Sequence, residues 1–227
     1  MFKENDEDVR YTSRLLALKD EAAFQWIQKK GMELQQLMTY YQCAMMEIET
    51  KFKVLNAEYS LQHDRNPINS IKTRLKKIPS IAEKLERKGH EFSMASIEEN
   101  ILDVAGVRVV CSFVEDVYTL TDALLRQDDV TLIKKKDYIQ QPKENGYRSM
   151  HLIVAIPIFL DEEKRIMHVE IQLRTIAMDC WASLEHQLRY KKNLEPSEER
   201  EKELYQCAHM SAELDARMDR LRQELDL

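Results

Sequence analysis

The sequence predicts an α+β protein, a small sheet centred on residues 105–175 and framed by helices at both ends. Three observations carry that expectation. Apolar residues recur in steps of three and four from Leu34 to Tyr59, the period of an amphipathic helix. β-Branched or alternating runs then crowd the middle of the chain. A second helical period closes it, and four glycines in 227 residues leave few flexible joints.

In the first helix Leu37, Tyr41, Ala44, Ile48, Phe52, Leu55 and Tyr59 share a face, and Asp64–Pro67 breaks it. A shorter helical stretch starts at Pro79 and stops at Gly89. Val107–Cys111, Met150–Ile156 and Ile166–Leu173 read as strands, with Thr131–Lys134 a weaker fourth. Val114–Arg126 and Thr175–Arg189 read as helices. Leu204, Cys207, Leu214, Met218, Leu221 and Leu225 mark a long final helix opened by Pro196 and an acidic first turn. The expected organisation is an N-terminal helical extension (1–60), a catalytic domain (61–192) and a C-terminal helix (193–227). That last helix either completes the core or forms an oligomer contact.

A net charge of −6 argues against binding along a nucleic-acid backbone, which needs clustered positive charge. Basic residues do gather at Lys72, Arg74, Lys76 and Lys77, at Lys84, Arg87 and Lys88, and at Lys134–Lys136. Each is either a solvated helix face or part of a pocket for a small polyanion. No stretch approaches the roughly 20 apolar residues of a membrane span. The N-terminus lacks a signal-peptide core, so a cytoplasmic protein with four reduced cysteines is expected. Their spacing offers no zinc site.

The strand Met167–Arg174 is the most informative. Alternation puts Glu170, Gln172 and Arg174 on one face, where burial is costly unless something polar occupies it. Asp103 precedes the strand that carries Arg108. Two carboxylates among Arg and Lys suit a Mg²⁺–triphosphate site, although spacing alone does not bring Asp103 and Glu170 together. In Pro142–His151 an Asn-Gly turn precedes Tyr147, Arg148, Ser149 and His151, an aromatic among cations able to stack a base. A basic hairpin with a packed tyrosine is the plainer reading. On Thr175–Arg189, Trp181 reads as core and His186 as a phosphate contact or a structural histidine. His63-Asp64 lacks the further ligands of a metal phosphohydrolase, and no G-x-x-x-x-G-K-[ST] loop occurs.

Asp103-Val-Ala-Gly-Val-Arg-Val-Val-Cys111, Lys136-Asp-Tyr-Ile139, Asn145-Gly-Tyr-Arg-Ser-Met-His151, Val169-Glu-Ile-Gln-Leu-Arg-Thr175 and Met178-Asp-Cys-Trp-Ala-Ser-Leu-Glu-His186 together resemble the synthetase domain of RelA/SpoT-type stringent-response enzymes. The likeness runs from about Pro67 to Lys192 and points to the small stand-alone (RelP/RelQ-like) members. It implies a mixed, mostly antiparallel sheet with a nucleotidyltransferase-like fold, and a homotetramer. It also implies Mg²⁺-dependent transfer of the ATP β,γ-pyrophosphate to the 3′-hydroxyl of GDP or GTP, with release of AMP. Asp103 and Glu170 would hold the metal, and Glu170 would serve as base. Arg74, Lys76 and Arg108 would bind ATP. Lys136, Tyr147, Arg148, His151 and Gln172 would bind the guanosine nucleotide, with Tyr147 stacked on the base. Lys84, Lys88, Arg174 and His186 are less securely placed. Two other readings stand beside this one: a toxic relative that modifies tRNA or adenine nucleotides, and an inactive nucleotide- or RNA-binding regulator.

Overall fold

The computed structural model describes residues 6–63, 65–189 and 197–225. Along them run α1 (Asp6–His63), β1 (Ile68–Leu75), α2 (Ile78–Arg87), α3 (Met94–Asn100), β2 (Ala105–Cys111), α4 (Val114–Leu125), β3 (Thr131–Asp137), β4 (Met150–Phe159), β5 (Lys164–Thr175), α5 (Ile176–Arg189) and α6 (Glu198–Glu224). The five strands make one sheet in the order β1-β2-β5-β4-β3. Only β2 and β5 pair in parallel; the other three pairings are antiparallel. The sheet is therefore mixed and mostly antiparallel, as the resemblance implies.

Register fixes which side chains share a face, because residues directly opposite across strands point the same way. One row runs Lys72, Arg108, Gln172, His151, Lys136 across all five strands. The next runs Arg74, Gly106, Glu170, Ile153, Lys134. Almost every member is polar or charged. The opposite face carries Val107, Val109, Leu152, Val154, Ile171 and Leu173, all fully buried. Helix α4 packs on that face through Val117, Leu120 and Leu124. One side of the sheet is thus core, and the other is free for chemistry.

The structure extends the expected elements in several places. Strand β1 was not anticipated. Its exposed residues are mostly polar, so it lacks the apolar alternation that marks a half-buried strand, and its signal is the period-two spacing of Lys72 and Arg74, continued by Lys76 just beyond its end. Helix α3 has seven residues, too few for a clear period, and starts where Ser93 Oγ accepts from Ser96 N at 3.1 Å. Strand β4 continues past Ile156 through Pro157. Strand β3 pairs with β4 no further than Ala155, so the missing proline N–H faces no neighbour there. Asp64 and Pro196, expected to break and to open helices, lie outside the described residues.

The chain divides into two units, Met1–Thr39 and Tyr40–Leu227. In the first, the described residues are helical, with a Lys30–Glu33 pair on the surface. The second holds the whole sheet, the rest of α1 and α6. The expected boundaries near 60 and 192 do not coincide with this division. Tyr41, Ala44, Ile48 and Phe52 of α1 are buried, so this half of the helix belongs to the core of the unit that contains the sheet.

In the first turn of α4, Asp116 accepts from Phe113 N at 3.1 Å and takes a two-pronged pair from Arg65 at 2.7 and 3.0 Å, at 3% exposure. Replacing it with Asn leaves a partly buried guanidinium poorly paired. Asp116→Asn should therefore lower unfolding free energy by about 3 kcal/mol in urea titrations.

Candidate active site

Asp103 sits in the turn between α3 and β2, and Glu170 lies on β5 opposite Gly106 of β2. The parallel β2–β5 pairing is what brings them to one place. Gly106 keeps the floor low: a Cβ there would sit 3.4 Å from the Arg74 carbonyl oxygen. Two hollows meet at the carboxylates. A cavity of about 240 Å³ is lined by Lys72, Arg74, Lys76 and Arg108 together with Asp103, Glu170 and Gln172. On the other side a hollow of about 510 Å³ is lined by Lys84, Lys88, Lys134, Lys136, Tyr138, Lys143 and His151, again with Asp103 and Glu170.

Asp103 Oδ2 accepts from both Lys76 Nζ and Lys84 Nζ at 2.6 Å. Burial alone pushes this carboxyl up; the two ammonium groups more than offset that and hold it below the usual carboxylate range. Its Oδ1 is buried and has no hydrogen-bond partner. A buried, ionised oxygen without a partner is the donor a hard cation takes, so the pair fits a divalent metal.

Glu170 shows the reverse shift. Burial, and then the charge of Asp103, raise its carboxyl above the ordinary range. Gln172 Nε2 donates to Glu170 Oε2 at 3.0 Å, and Arg174 donates to Gln172 Oε1 at 2.8 Å. A line of side chains along β5 thereby fixes the orientation of Glu170 and leaves its Oε1 turned to the site.

His151 is held neutral: burial first, then Arg174, Lys143, Lys136 and Arg108, push its imidazole down to about 3. The Tyr147 oxygen accepts from Arg174 at 2.7 Å and Ser149 at 3.0 Å, so its own proton goes to His151 Nε2 at 2.8 Å. The imidazole proton is then on Nδ1, 3.8 Å from Glu170 Oε1.

Asp179, in the first turn of α5, gathers Lys72 at 3.3 Å and Arg108 and Arg174 at 3.2 Å each. In the sequence this residue stands out only as a member of the Met178–His186 motif. Its partners come from three different strands, which no local pattern reveals. Tyr138 and Lys143 were also not singled out. Lys143 Nζ lies 4.9 Å above the Tyr138 ring and 4.7 Å above that of Tyr147.

The structure thus brings Asp103, Glu170, Arg74, Lys76, Arg108, Lys136, His151 and Gln172 around two joined hollows. Tyr147 stands behind them, tied to His151. Arg148 does not line either hollow; it turns toward α6 and pairs with Asp215 at 3.1 Å. His186 is exposed on α5 and lines neither.

Paired carboxylates between two cationic hollows, on one face of a mixed sheet, define a transferase acting between two phosphorylated substrates. Comparison with known proteins makes this specific. Residues 73–195 match the model of the "Region found in RelA / SpoT proteins", and the chain belongs to that family. It is 44% identical over 186 residues to GTP pyrophosphokinase YwaC of Bacillus subtilis, covering 82% of this chain and 89% of the relative. The crystal structure of small alarmone synthetase 2 from Bacillus subtilis superposes with a TM-score of 0.75 at 41% identity, over 82% of this chain and 96% of that one. Small alarmone synthetase 1 from the same organism, bound to its product pppGpp, superposes with a TM-score of 0.77 at 33% identity, over 86% and 99%. That enzyme bound to AMPCPP gives 0.71 at 29% identity, over 86% and 98%. Among the described residues, no helix is long and apolar enough to cross a membrane.

The His151 shift has a direct readout. Between pH 6.5 and about 3 the unfolded chain takes up a proton that folded His151 refuses, so this group lowers stability as pH falls through that window. NMR titration of His151 should show a neutral Nδ1–H imidazole throughout that range. His151→Gln should make stability less steep in pH there.

Proposed function

We propose that this chain is a GTP pyrophosphokinase, transferring the β,γ-pyrophosphate of ATP to the 3′-hydroxyl of GDP or GTP and releasing AMP. The observation that carries this reading is the pair of cationic hollows sharing Asp103 and Glu170 as a common wall. Two polyanions can be seated there with their reacting groups facing one pair of carboxylates. Relatives that carry the name GTP pyrophosphokinase, and others bound to pppGpp and to AMPCPP, supply the identity of the two nucleotides.

ATP is assigned to the β1–β2 side. Arg74 and Arg108 flank the adenine there, and Lys76 meets the phosphates with Lys84 beside it. The acceptor is assigned to the β4–β3 side, with Lys136 at its phosphates. Tyr147, its hydroxyl fixed by three hydrogen bonds, serves as a rigid platform for guanine. Glu170 is the base for the 3′-hydroxyl. Its raised affinity for a proton favours that role, and Gln172 and His151 keep its Oε1 aimed at the acceptor side. Asp103 and Glu170 would hold Mg²⁺, which would neutralise phosphate charge and sharpen the electrophile. No covalent intermediate is required; alignment and charge screening carry the rate.

We also assign a cytoplasmic location, supported by the four free cysteines and by the substrates. A homotetramer is proposed too, supported by the half-exposed Leu214, Met218 and Leu221 on α6. Light scattering of the purified chain should return four times the mass of one chain.

Incubation with γ-labelled ATP, Mg²⁺ and GDP, GTP or tRNA tests the reading. Label should appear in guanosine tetra- or pentaphosphate with matching AMP, and stop on addition of EDTA. Label on tRNA, or on no acceptor, would contradict it. Glu170→Gln should lower kcat by about 10³-fold, the scale of a general base, while leaving the thermal midpoint within a few degrees of wild type.

A further inference from the structure

Helix α6 is 27 residues long, yet among its described residues only Ala208 and Asp215 are buried. They lie seven apart, on one face, and both meet the segment that leads into β4. Gly146 adopts φ +84, and a Cβ built on it would come 2.5 Å from the Ala208 Cβ, so the turn backbone touches the helix directly. The Tyr147 ring packs on Trp181, Ala182 and Ala208, and Trp181 Nε1 donates to the Leu204 carbonyl oxygen at 2.9 Å. Asp215, 7% exposed, takes Arg148 and is also bonded by the Thr175 side chain at the β5–α5 joint. A helix that merely covered the core would bury an apolar stripe. This one leaves Leu214, Met218 and Leu221 about half exposed and buries a carboxylate.

We propose that Asp215 and Ala208 are positioning residues for the acceptor nucleotide, and that Arg148 acts through Asp215 and not as a ligand. Together they clamp the segment Tyr138–Arg148 in the shape that presents Tyr138 and Lys143 to the acceptor hollow, with Tyr147 behind them. A desolvated ion pair contributes little net stability, but it tolerates one geometry only, which suits a clamp. The inference rests on the assignment of the acceptor to that hollow.

Steady-state kinetics on the full chain test it, varying GTP at saturating ATP and then the reverse. Asp215→Asn and Arg148→Gln should each raise the GTP KM about tenfold, with the ATP KM changed less than about twofold. The double variant should be about as impaired as either single one, because both break the same link. Ala208→Val, which presses on Gly146, should show the same selectivity and decides the matter if Asp215→Asn does not fold. Hydrogen exchange gives a readout independent of activity: amides of 138–148 should exchange faster in Asp215→Asn, and those of β2 should not. An unchanged GTP KM in Asp215→Asn beside a raised one in Arg148→Gln would make Arg148 a ligand and overturn the proposal. So would a parallel rise in both KM values, or unchanged exchange in 138–148. A wild-type protein that transfers no label to guanosine nucleotides would instead defeat the functional reading, with the exchange result still reporting on the clamp.

Discussion

Two carboxylates held side by side on the floor of a partly dry face are the constraint on which the rest of the site depends. Left alone, each would be pushed toward its neutral form by burial and by the other's charge. Lys76 and Lys84 settle the competition in favour of an ionised Asp103, and Glu170 bears the cost as a raised proton affinity. The two carboxyls are therefore shifted in opposite directions, Asp103 down and Glu170 up. The asymmetry exists only because β2 and β5 pair in parallel, which sets Glu170 against Gly106 a few residues after Asp103.

The surrounding cations are paired by carboxylates of the chain itself. Asp179 gathers Lys72, Arg108 and Arg174; Asp103 gathers Lys76 and Lys84. Repulsion among five positive groups is thereby screened. The neutral His151 fits the same economy, since a charged imidazole among Arg174, Lys143 and Lys136 would add repulsion without a partner.

Much of this was legible in the sequence, for identifiable reasons. The alternation of Glu170, Gln172 and Arg174 against Val169, Ile171 and Leu173 announced a polar sheet face, and the structure has one. The apolar period of α1 marked Leu37, Tyr41, Ala44, Ile48, Phe52 and Leu55, all of them buried. What stayed hidden depends on contacts between distant segments. Strand β1 is an edge strand whose apolar signal is weak, so the sequence left Lys72, Arg74 and Lys76 open between a helix face and a polyanion pocket. Asp179 became a hub only once three strands placed cations around it. Arg148, next to Tyr147 in a nucleotide-like motif, faces the other way because successive residues of an extended segment point to opposite sides. Its partner, Asp215, lies 67 residues on.

The most direct test of the account is a crystal structure of the chain with a non-hydrolysable ATP analogue and GDP. The triphosphate should lie on the β1–β2 side with Lys76 and Lys84 moved from Asp103 to phosphate oxygens. The GDP 3′-hydroxyl should lie within hydrogen-bond reach of Glu170 Oε1. A nucleotide pair seated away from the shared carboxylates, or a 3′-hydroxyl facing some group other than Glu170, would contradict it.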